Sequence, residues 1–342
     1  ARHARSSRRP LRLEWLEQRR VLATFLVDNV FDVVDGNYDE GELSLREALQ
    51  LSNLNGESDI VSLPAGTFNL THPVFGTLDL VEDVSIVGAG VGSTTINASA
   101  LGDRAFFVHG VSVSFDGLVI AGGSSTLDGG GIYASSNSTV EVINSTLSGN
   151  STTYYGGGIY ASYNNTVEVI NSTLSDNSAF YGGGIYTNSG TVDLANSTLS
   201  GNSASFGGGI FASSNSTVEV TNSTVSDNSA TYYGGGIYHP FGTIRMGNSI
   251  VADNSADYGG PNVRGSATSL GWNLIGNNQG FTFTPNAGDQ VGTPAAPIDP
   301  RLGPLQDNGG PTWTHAPKGG SPAIDAGKDN PGGAPTGEDQ RG

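Results

Sequence analysis

The chain of 342 residues contains no cysteine and no long hydrophobic run. Without cysteine there can be no disulfide bond, thiolate nucleophile or cysteine-ligated zinc site, and the redox compartment is left open. No apolar segment approaches the roughly 20 residues of a membrane-spanning helix, so none is predicted. Basic residues are also few, 15 against 32 acidic residues, which gives a formal net charge of −17. Such a body repels phosphate backbones and anionic membranes, which argues against nucleic acid as a partner.

The few basic residues are concentrated at the N terminus. Residues 1–20 contain seven arginines against Glu14 and Glu17, a local charge of +5, so the remaining 322 residues carry −22. The segment ends near a small residue, Ala23, as an export signal does, but it has no continuous apolar centre of roughly 7–15 residues. We interpret residues 1–24 as a basic, targeting-like segment, with a solvated basic arm as the alternative.

Glycine, in contrast, is abundant, and part of it recurs in one motif. Glycine triplets open units of 27, 26, 25, 27 and 25 residues, which begin at Gly129, Gly156, Gly182, Gly207 and Gly234. Within a unit, segments such as "TVEVIN" alternate in the period of a β-strand, and no helical stripe is present. Three short strands and three polar turns per unit predict one coil of a parallel β-helix. A leucine-rich repeat would need more leucines per unit, and a propeller blade would be longer.

Stacked coils place equivalent residues about 4.8 Å apart, in columns of like side chains. Three inward columns are predicted to form the core. They are Ile132, Ile159, Ile185, Ile210 and Ile237; Val140, Val167, Val192, Val218 and Ile244; and Leu147, Leu174, Leu199, Val225 and Val251.

Two further columns consist of asparagine alone. They are Asn144, Asn171, Asn196, Asn222 and Asn248, then Asn150, Asn177, Asn202, Asn228 and Asn254. Asparagine tolerates the left-handed backbone of a turn and can hydrogen-bond to the next amide along a stack, so we assign both columns a structural role. N-glycosylation is the alternative for the first column, where four members stand in Asn-Ser-Thr triplets. The glycine triplets are predicted to supply positive φ angles at a corner.

Two outward columns are acidic. The first consists of Glu141, Glu168, Asp193, Glu219 and Arg245, and the second of Asp176, Asp227 and Asp253 interrupted by Gly149 and Gly201. We interpret the first as a solvated face; its four carboxylates are calcium candidates, and catalysis with the arginine as base is the remaining alternative. A repeated acid is not the single asymmetric constellation that catalysis needs, so no catalytic residue is predicted. In the second column, the two glycines take the place of aspartates, which suggests that they relieve repulsion between stacked carboxylates.

Histidine offers no metal site in the sequence. The five histidines are His3, His72, His109, His239 and His315. They share no metal-binding spacing, and we assign them to the surface or to the caps.

Two aromatic columns are the most suggestive feature. Tyr133, Tyr160, Tyr186, Phe211 and Tyr238 follow the inward isoleucines and should point outward, and Tyr155, Tyr181, Phe206, Tyr233 and Tyr258 form a second column beside the glycine corner. Ring stacking that stiffens the solenoid would explain both columns structurally. The functional interpretation is a flat platform for a polysaccharide or a partner protein, because exposed apolar stripes often mark binding surfaces. The first column is our candidate for binding.

The segments that flank the repeats are irregular. "SLREALQLSN" predicts a short helix whose capping box is formed by Ser44 and Glu47, placed as a lid on the first coil. The Pro- and Gly-rich C-terminal stretch should cover the other end of the stack. The predicted divisions are an N-terminal cap with irregular coils over 25–128, regular coils over 129–258, C-terminal coils and a cap over 259–327, and a linker-like tail over 328–342.

Several motifs carry a family resemblance. "ELSLREALQLSN" resembles the CSLREA-type N-terminal segment of bacterial exported proteins, with Leu43 in place of the usual cysteine. "GGGIY" with "LSGN" or "VSDN" is similar to the GGA[ILV] and FxxN repeats of chlamydial polymorphic membrane proteins, with Leu or Val in place of Phe. Residues 299–327 resemble a choice-of-anchor Q region, and "LEWLEQRRVLA" resembles a segment of planctomycete secreted proteins. The resemblance implies a secreted or surface-exposed right-handed, pectin-lyase-like β-helix, in some relatives an adhesin.

The fold class predicted is therefore all-β, a right-handed parallel β-helix with a short N-terminal capping helix. The leading functional hypothesis is a noncatalytic, monomeric bacterial protein, extracellular or on the cell surface, that contacts a polysaccharide or a surface protein and needs no cofactor, calcium aside. Because β-helices also include polysaccharide lyases and glycoside hydrolases, a carbohydrate-active enzyme is the alternative.

Overall fold

The computed structural model describes residues 23–72, 74–213 and 215–328. In these ranges the chain forms a right-handed parallel β-helix of about 8 turns, which confirms the predicted fold class. Predictions for the basic segment before residue 23 and for the tail after residue 328 lie outside the described residues. No helix among the described residues combines the length and the hydropathy needed to cross a bilayer.

The first four regular coils contribute four strands each rather than the predicted three, and in the fifth coil the first two strands merge into Ile237–Gly247. In the first coil they are Ile132–Ala134, Thr139–Ile143, Thr146–Ser148 and Ser151–Thr152. The fourth strand falls in the stretch "STTYY", which we had expected to be a turn. It is short and has no apolar residue in its first coil, so alternation did not reveal it.

The first two strands of each coil belong to one sheet, the long sheet. Its strands are Thr24–Leu26, Asp59–Ser62, Leu78–Leu80, Val84–Val87, Phe106–Val108, Ser112–Asp116, Ile132–Ala134, Thr139–Ile143, Ile159–Tyr163, Thr166–Ile170, Ile185–Asn188, Thr191–Ala195, Ile210–Ala212, Thr217–Thr221, Ile237–Gly247, Val263–Gly271 and Phe281–Thr284.

The third and fourth strands build two further parallel sheets. The second sheet contains Gly66–Asn69, Thr94–Asn97, Val119–Ala121, Thr146–Ser148, Thr173–Ser175, Thr198–Ser200, Thr224–Ser226, Ile250–Ala252, Leu274–Ile275 and Gln290–Val291. The outer sheet contains Ser124–Ser125, Ser151–Thr152, Ser178–Tyr181, Ser203–Phe206, Ser229–Tyr233 and Ser255–Ala256. An antiparallel pair, Leu302–Gln306 with Thr314–Pro317, follows.

Successive coils stack like residue on like residue. Ile132 pairs in register with Ile159, as do the equivalent valines and leucines of the other two inward columns. All fifteen predicted core residues are fully buried. Burial of each such side chain contributes about 1.5–3 kcal/mol, so these columns hold the coils together.

The second asparagine column forms a continuous buried ladder. Asn202 Nδ2 donates to Asn228 Oδ1 and to the carbonyl oxygen of Leu174, each at 2.9 Å. Its own Oδ1 accepts from Nδ2 of Asn177 at 2.9 Å and from the backbone N–H of the same residue at 3.1 Å. The predicted structural role is therefore confirmed for this column, where each amide satisfies buried groups in two coils.

The first column differs from the second in its backbone. Its asparagines have φ angles between 46° and 52°, as predicted, whereas in the second column the left-handed residue is the preceding one. Asn248 Nδ2 donates to Asn222 Oδ1 at 2.8 Å and Asn171 Nδ2 to Asn144 Oδ1 at 3.3 Å. The ladder is interrupted at Asn196, whose buried Oδ1 has no hydrogen-bond partner among the described residues.

The glycine triplets allow two backbone segments to pack directly against each other. The first glycine of each triplet has φ between 66° and 69°, which confirms the predicted corner. The second position of the triplet requires glycine for lack of space. A Cβ at Gly183 would lie 2.5 Å from the backbone oxygens of both Ser203 and Gly208. The triplet therefore brings the start of each coil against the outer-sheet strand that ends the same coil and against the triplet of the next coil, with no side chain between them.

The helix Leu45–Asn55 begins at the predicted capping box. Ser44 Oγ accepts from the backbone N–H of Glu47 at 3.2 Å, and Glu47 Oε2 accepts from the backbone N–H of Ser44 at 3.2 Å. Ala48 and Leu49 are buried in the hydrophobic core. The predicted N-terminal helix and its capping box are thus confirmed, and the helix packs on the core at the first coils.

The C-terminal segment, residues 299–328, follows a path that we did not expect. Thr312 Oγ1 donates to the carbonyl oxygen of Asn171 at 2.9 Å, and Thr173 Oγ1 donates to that of Trp313 at 2.7 Å. His315 Nε2 lies 2.8 Å from Ser200 Oγ. The segment therefore lies along the side of the solenoid, over the second sheet, whereas we had expected it over the end of the stack.

Candidate functional site

The aromatic side chains form one continuous face with three rows. The inner row is the first predicted column, Tyr133, Tyr160, Tyr186, Phe211 and Tyr238, and the middle row is the second, Tyr155, Tyr181, Phe206, Tyr233 and Tyr258. The inner row lies outside the solenoid core, as predicted, but it is not an exposed stripe. Its rings are half-buried, and Tyr186 is only 8% exposed.

The middle row covers the inner row. The rings of Tyr155 and Tyr186 are 4.7 Å apart, those of Tyr181 and Phe211 5.1 Å apart, and Tyr181 stacks on Phe206 at 5.3 Å with an interplanar angle of 16°. Burial raises the pKa of Tyr186 to about 12. This hydroxyl therefore stays neutral at physiological pH, and the inner row mainly stabilises the face from beneath.

The exposed edge of this face is a third row that the sequence did not reveal. The outer row consists of Tyr154, Phe180 and Tyr232, which are 50%, 42% and 39% exposed. Tyr232 stacks on Phe206 at 4.9 Å and lies 5.4 Å from Tyr258, which is itself 67% exposed. The row escaped notice because the third regular coil has Ser205 where a ring would stand, so the column is incomplete.

A groove lies beside the outer row, over the outer sheet. It has a volume of about 430 Å³ and runs across four coils. Its lining is small and hydroxyl-rich: Ser178, Ala179, Ser203, Ala204, Ser205, Ser229, Ala230, Thr231, Ser255 and Asp257. The floor is flat because serine pairs with serine and alanine with alanine in register from coil to coil. Hydroxyl groups and exposed rings are therefore repeated together along the axis.

The second acidic column borders the other end of the outer-sheet strands. Asp176, Asp227 and Asp253 are exposed and each stands two residues before a strand of the floor. Their φ angles of 55–58°, with 62° at Gly149 and 68° at Gly201, explain why glycine and aspartate share this column. Both residue types tolerate a left-handed backbone, so relief of charge repulsion is not needed to account for the glycines.

The first acidic column lies on the long sheet, away from the groove. Arg245 Nε is 3.1 Å from Glu219 Oε2, a partly exposed ion pair. Burial, followed by the charges of Glu219 and Glu168, raises the pKa of Asp193 above its usual range. Among the described residues no group of three or more His, Asp or Glu side chains is arranged to hold a metal ion. Calcium binding by Glu141, Glu168, Asp193 and Glu219 thus stays a prediction.

Two histidines occupy positions that we did not predict. His239 is fully buried with its Nε2 2.8 Å from the carbonyl oxygen of Ser216, and burial holds its pKa below the usual range. His315, in the C-terminal segment, is buried against the second sheet, with Nδ1 2.8 Å from the carbonyl oxygen of Gly303 and Nε2 3.8 Å from Asp227 Oδ2. The surface assignment is wrong for His239, whereas His109 does lie at the surface, paired with Asp79.

This fold and its repetitive lateral face define a class of protein, the right-handed parallel β-helix. Residues 92–281 match the family described as "Right handed beta helix region", and the chain belongs to that family.

Two solved structures are similar to the chain in fold. One is ORF18 of Geobacillus virus E2, with 12% identity and a TM-score of 0.44 over 79% of this chain. The chain spans only 60% of the length of that viral protein. The other is the A-module of mannuronan C-5 epimerase AlgE6 from Azotobacter vinelandii, with 16% identity and a TM-score of 0.36 over 74% of this chain and 87% of the module. No curated protein sequence matches the chain.

Proposed function

We propose that the protein is a noncatalytic, exported bacterial β-helix that binds an extended polysaccharide chain in the groove beside the outer aromatic row, at the cell surface or outside the cell. The observation that carries the proposal is the pairing of exposed rings with a hydroxyl-lined groove over successive coils. Aromatic faces pack on the apolar faces of sugar rings, and hydroxyl side chains hydrogen-bond to sugar hydroxyls.

The repetition along the axis favours a polymer over a small molecule. Ring centroids in the exposed part of the face follow one another at 6.0 Å from Phe180 to Phe206, at 4.9 Å to Tyr232 and at 5.4 Å to Tyr258. A chain of sugars lying along the groove would make similar contacts with successive coils. The backbone ladders hold these side chains in place before binding, which lowers the entropic cost of association.

One observation favours the alternative of a carbohydrate-active enzyme. Burial, then the charges of Asp227 and Asp299, raises the pKa of Asp253, while His315 lowers it. A carboxyl group whose pKa is raised next to a second carboxyl group is one feature that acid catalysis of glycoside cleavage uses. Under our proposal, incubation with polysaccharides releases no reducing ends or unsaturated products; turnover would favour the alternative.

Loss of the exposed rings should abolish most of the binding. In the full chain, Phe180→Ser, Tyr232→Ser and Tyr258→Ser together remove three stacking contacts worth about 1 kcal/mol each, so affinity for the best-bound oligosaccharide of a glycan panel should fall about a hundredfold. The matched control, Phe31→Ser, Tyr38→Ser and Phe241→Ser, removes three exposed rings elsewhere and should leave affinity unchanged. Equal affinity in both variants would exclude this groove as the binding site.

A further inference from the structure

We infer, on the basis of the proposed function, that the ligand of the groove is a cationic polysaccharide, an amino-sugar polymer with free ammonium groups, rather than an acidic one. Asp257 lines the groove, and three further exposed aspartates, Asp176, Asp227 and Asp253, each stand two residues before a strand of its floor. None of the ten described residues that line it is cationic.

Three arginines of the solenoid make contacts other than with these carboxylates. The guanidinium of Arg104 lies 4.8 Å from the ring centroid of Tyr133, and that of Arg264 lies 5.1 Å from that of Tyr233. Arg245 is paired with Glu219 on the long sheet. Within the described part of the chain no lysine or arginine forms an ion pair with these four carboxylates, and Asp227 has only His315 at 3.8 Å.

The carboxylates consequently leave a local negative field that a ligand can neutralise. Asp227 and Asp253 occupy equivalent positions of successive coils, and the side chain of Asp227 is 59% exposed. The charge of Asp227 also contributes to the raised pKa of Asp253, so an ionised pair is unfavourable without a counter-ion. An acidic polysaccharide would add further negative charge and would be repelled.

An amino-sugar chain supplies the positive charges that the groove lacks. Its ammonium groups can pair with Asp227, Asp253 and Asp257, and they are attracted to the faces of Tyr232 and Tyr258 as well. Carboxylates and rings both recur with the spacing of the coils, about 4.8 Å. A polymer that lies along the axis can therefore make both kinds of contact at several successive sugars.

The test compares oligomers that differ in charge on the full chain. Binding of a glucosamine oligomer, its N-acetylated counterpart and an oligogalacturonate is measured by calorimetry at about pH 6, on the acid side of the pKa of an amine. We expect the glucosamine oligomer to bind about tenfold or more tightly than the acetylated one, and this preference to fade with added salt. The oligogalacturonate should not bind, with or without calcium.

Two triple variants that remove the same charge test whether the preference for the amine arises at the groove. Asp227→Asn, Asp253→Asn and Asp257→Asn together should remove the preference for the amine while leaving affinity for the acetylated oligomer unchanged; asparagine also tolerates the left-handed backbone at the first two positions. The control, Glu141→Gln, Glu168→Gln and Asp193→Asn, removes the same charge from the long sheet and should keep the preference.

The outcomes separate this inference from the proposed function. Tighter binding of the oligogalacturonate, equal binding of the amine and acetylated oligomers, or loss of preference in the long-sheet control overturns the cationic ligand. If one of these results is obtained but the acetylated oligomer binds and the ring variant abolishes that binding, the proposed glycan-binding function still holds. If none of the oligomers of the panel binds, both fall.

Discussion

Replacing Asn202 by alanine is expected to lower the free energy of unfolding by about 4 kcal/mol, a large loss for one side chain. The substitution removes four buried hydrogen bonds. It leaves the carbonyl oxygen of Leu174 and the backbone N–H of Asn177 without these partners, in a place where water cannot replace them. Urea unfolding followed by circular dichroism measures the shift.

The matched control for this ladder is Asn171→Ala in the first asparagine column. Asn171 is half-buried and has φ of 51°, so its replacement loses a 3.3 Å hydrogen bond to Asn144 and places alanine in a left-handed backbone. We expect a smaller loss of about 1–2 kcal/mol. Equal losses in the two variants would contradict the conclusion that the second asparagine column contributes more to stability than the first.

Gly183→Ala is expected to destabilise the protein by about 3 kcal/mol or more, because the new methyl group has no room. It would lie 2.5 Å from the backbone oxygens of Ser203 and Gly208 and 2.8 Å from the nitrogen of Ser203. Relief requires the outer sheet to move away from the triplet, which displaces the floor of the groove. Glycan affinity should therefore fall together with the urea midpoint of unfolding.

The control for the glycine is Gly149→Ala, where a Cβ would meet no atom within 4 Å. Its φ of 62° still disfavours alanine, so a loss of about 1–2 kcal/mol is expected without an effect on the groove. If Gly149→Ala is as damaging as Gly183→Ala, backbone conformation rather than close packing explains the triplet.

The repeated part of the fold could be predicted from the sequence because every coil gives an independent copy of the same pattern. Alternation at Val140 and Val142 identifies a strand, and four further coils repeat it with changes of length only outside that strand. The N-terminal helix was equally local, since Ser44 and Glu47 specify its start. In both cases the signal lies within one short segment, where side-chain period and capping chemistry decide the structure.

The remaining features depend on contacts that a sequence pattern does not show. The C-terminal segment reaches Ser200 through His315, 115 residues further along the chain, and Asn171 through Thr312, 141 residues further along. The outer aromatic row was hidden because Ser205 interrupts it and because the inner row looked equally exposed from alternation alone. Which of two adjacent rings covers the other is decided by packing between coils, as Tyr155 over Tyr186 shows.

The most direct test of the proposed binding face is to locate a bound sugar chain on it. With isotope-labelled phenylalanine and tyrosine rings in the full chain, NMR titration with a glucosamine oligomer should shift the resonances of Phe180, Tyr232 and Tyr258 and leave those of Phe281 and Phe283 unchanged. Shifts confined to rings outside the aromatic face, or none at a saturating concentration of an oligomer that binds, would contradict the account.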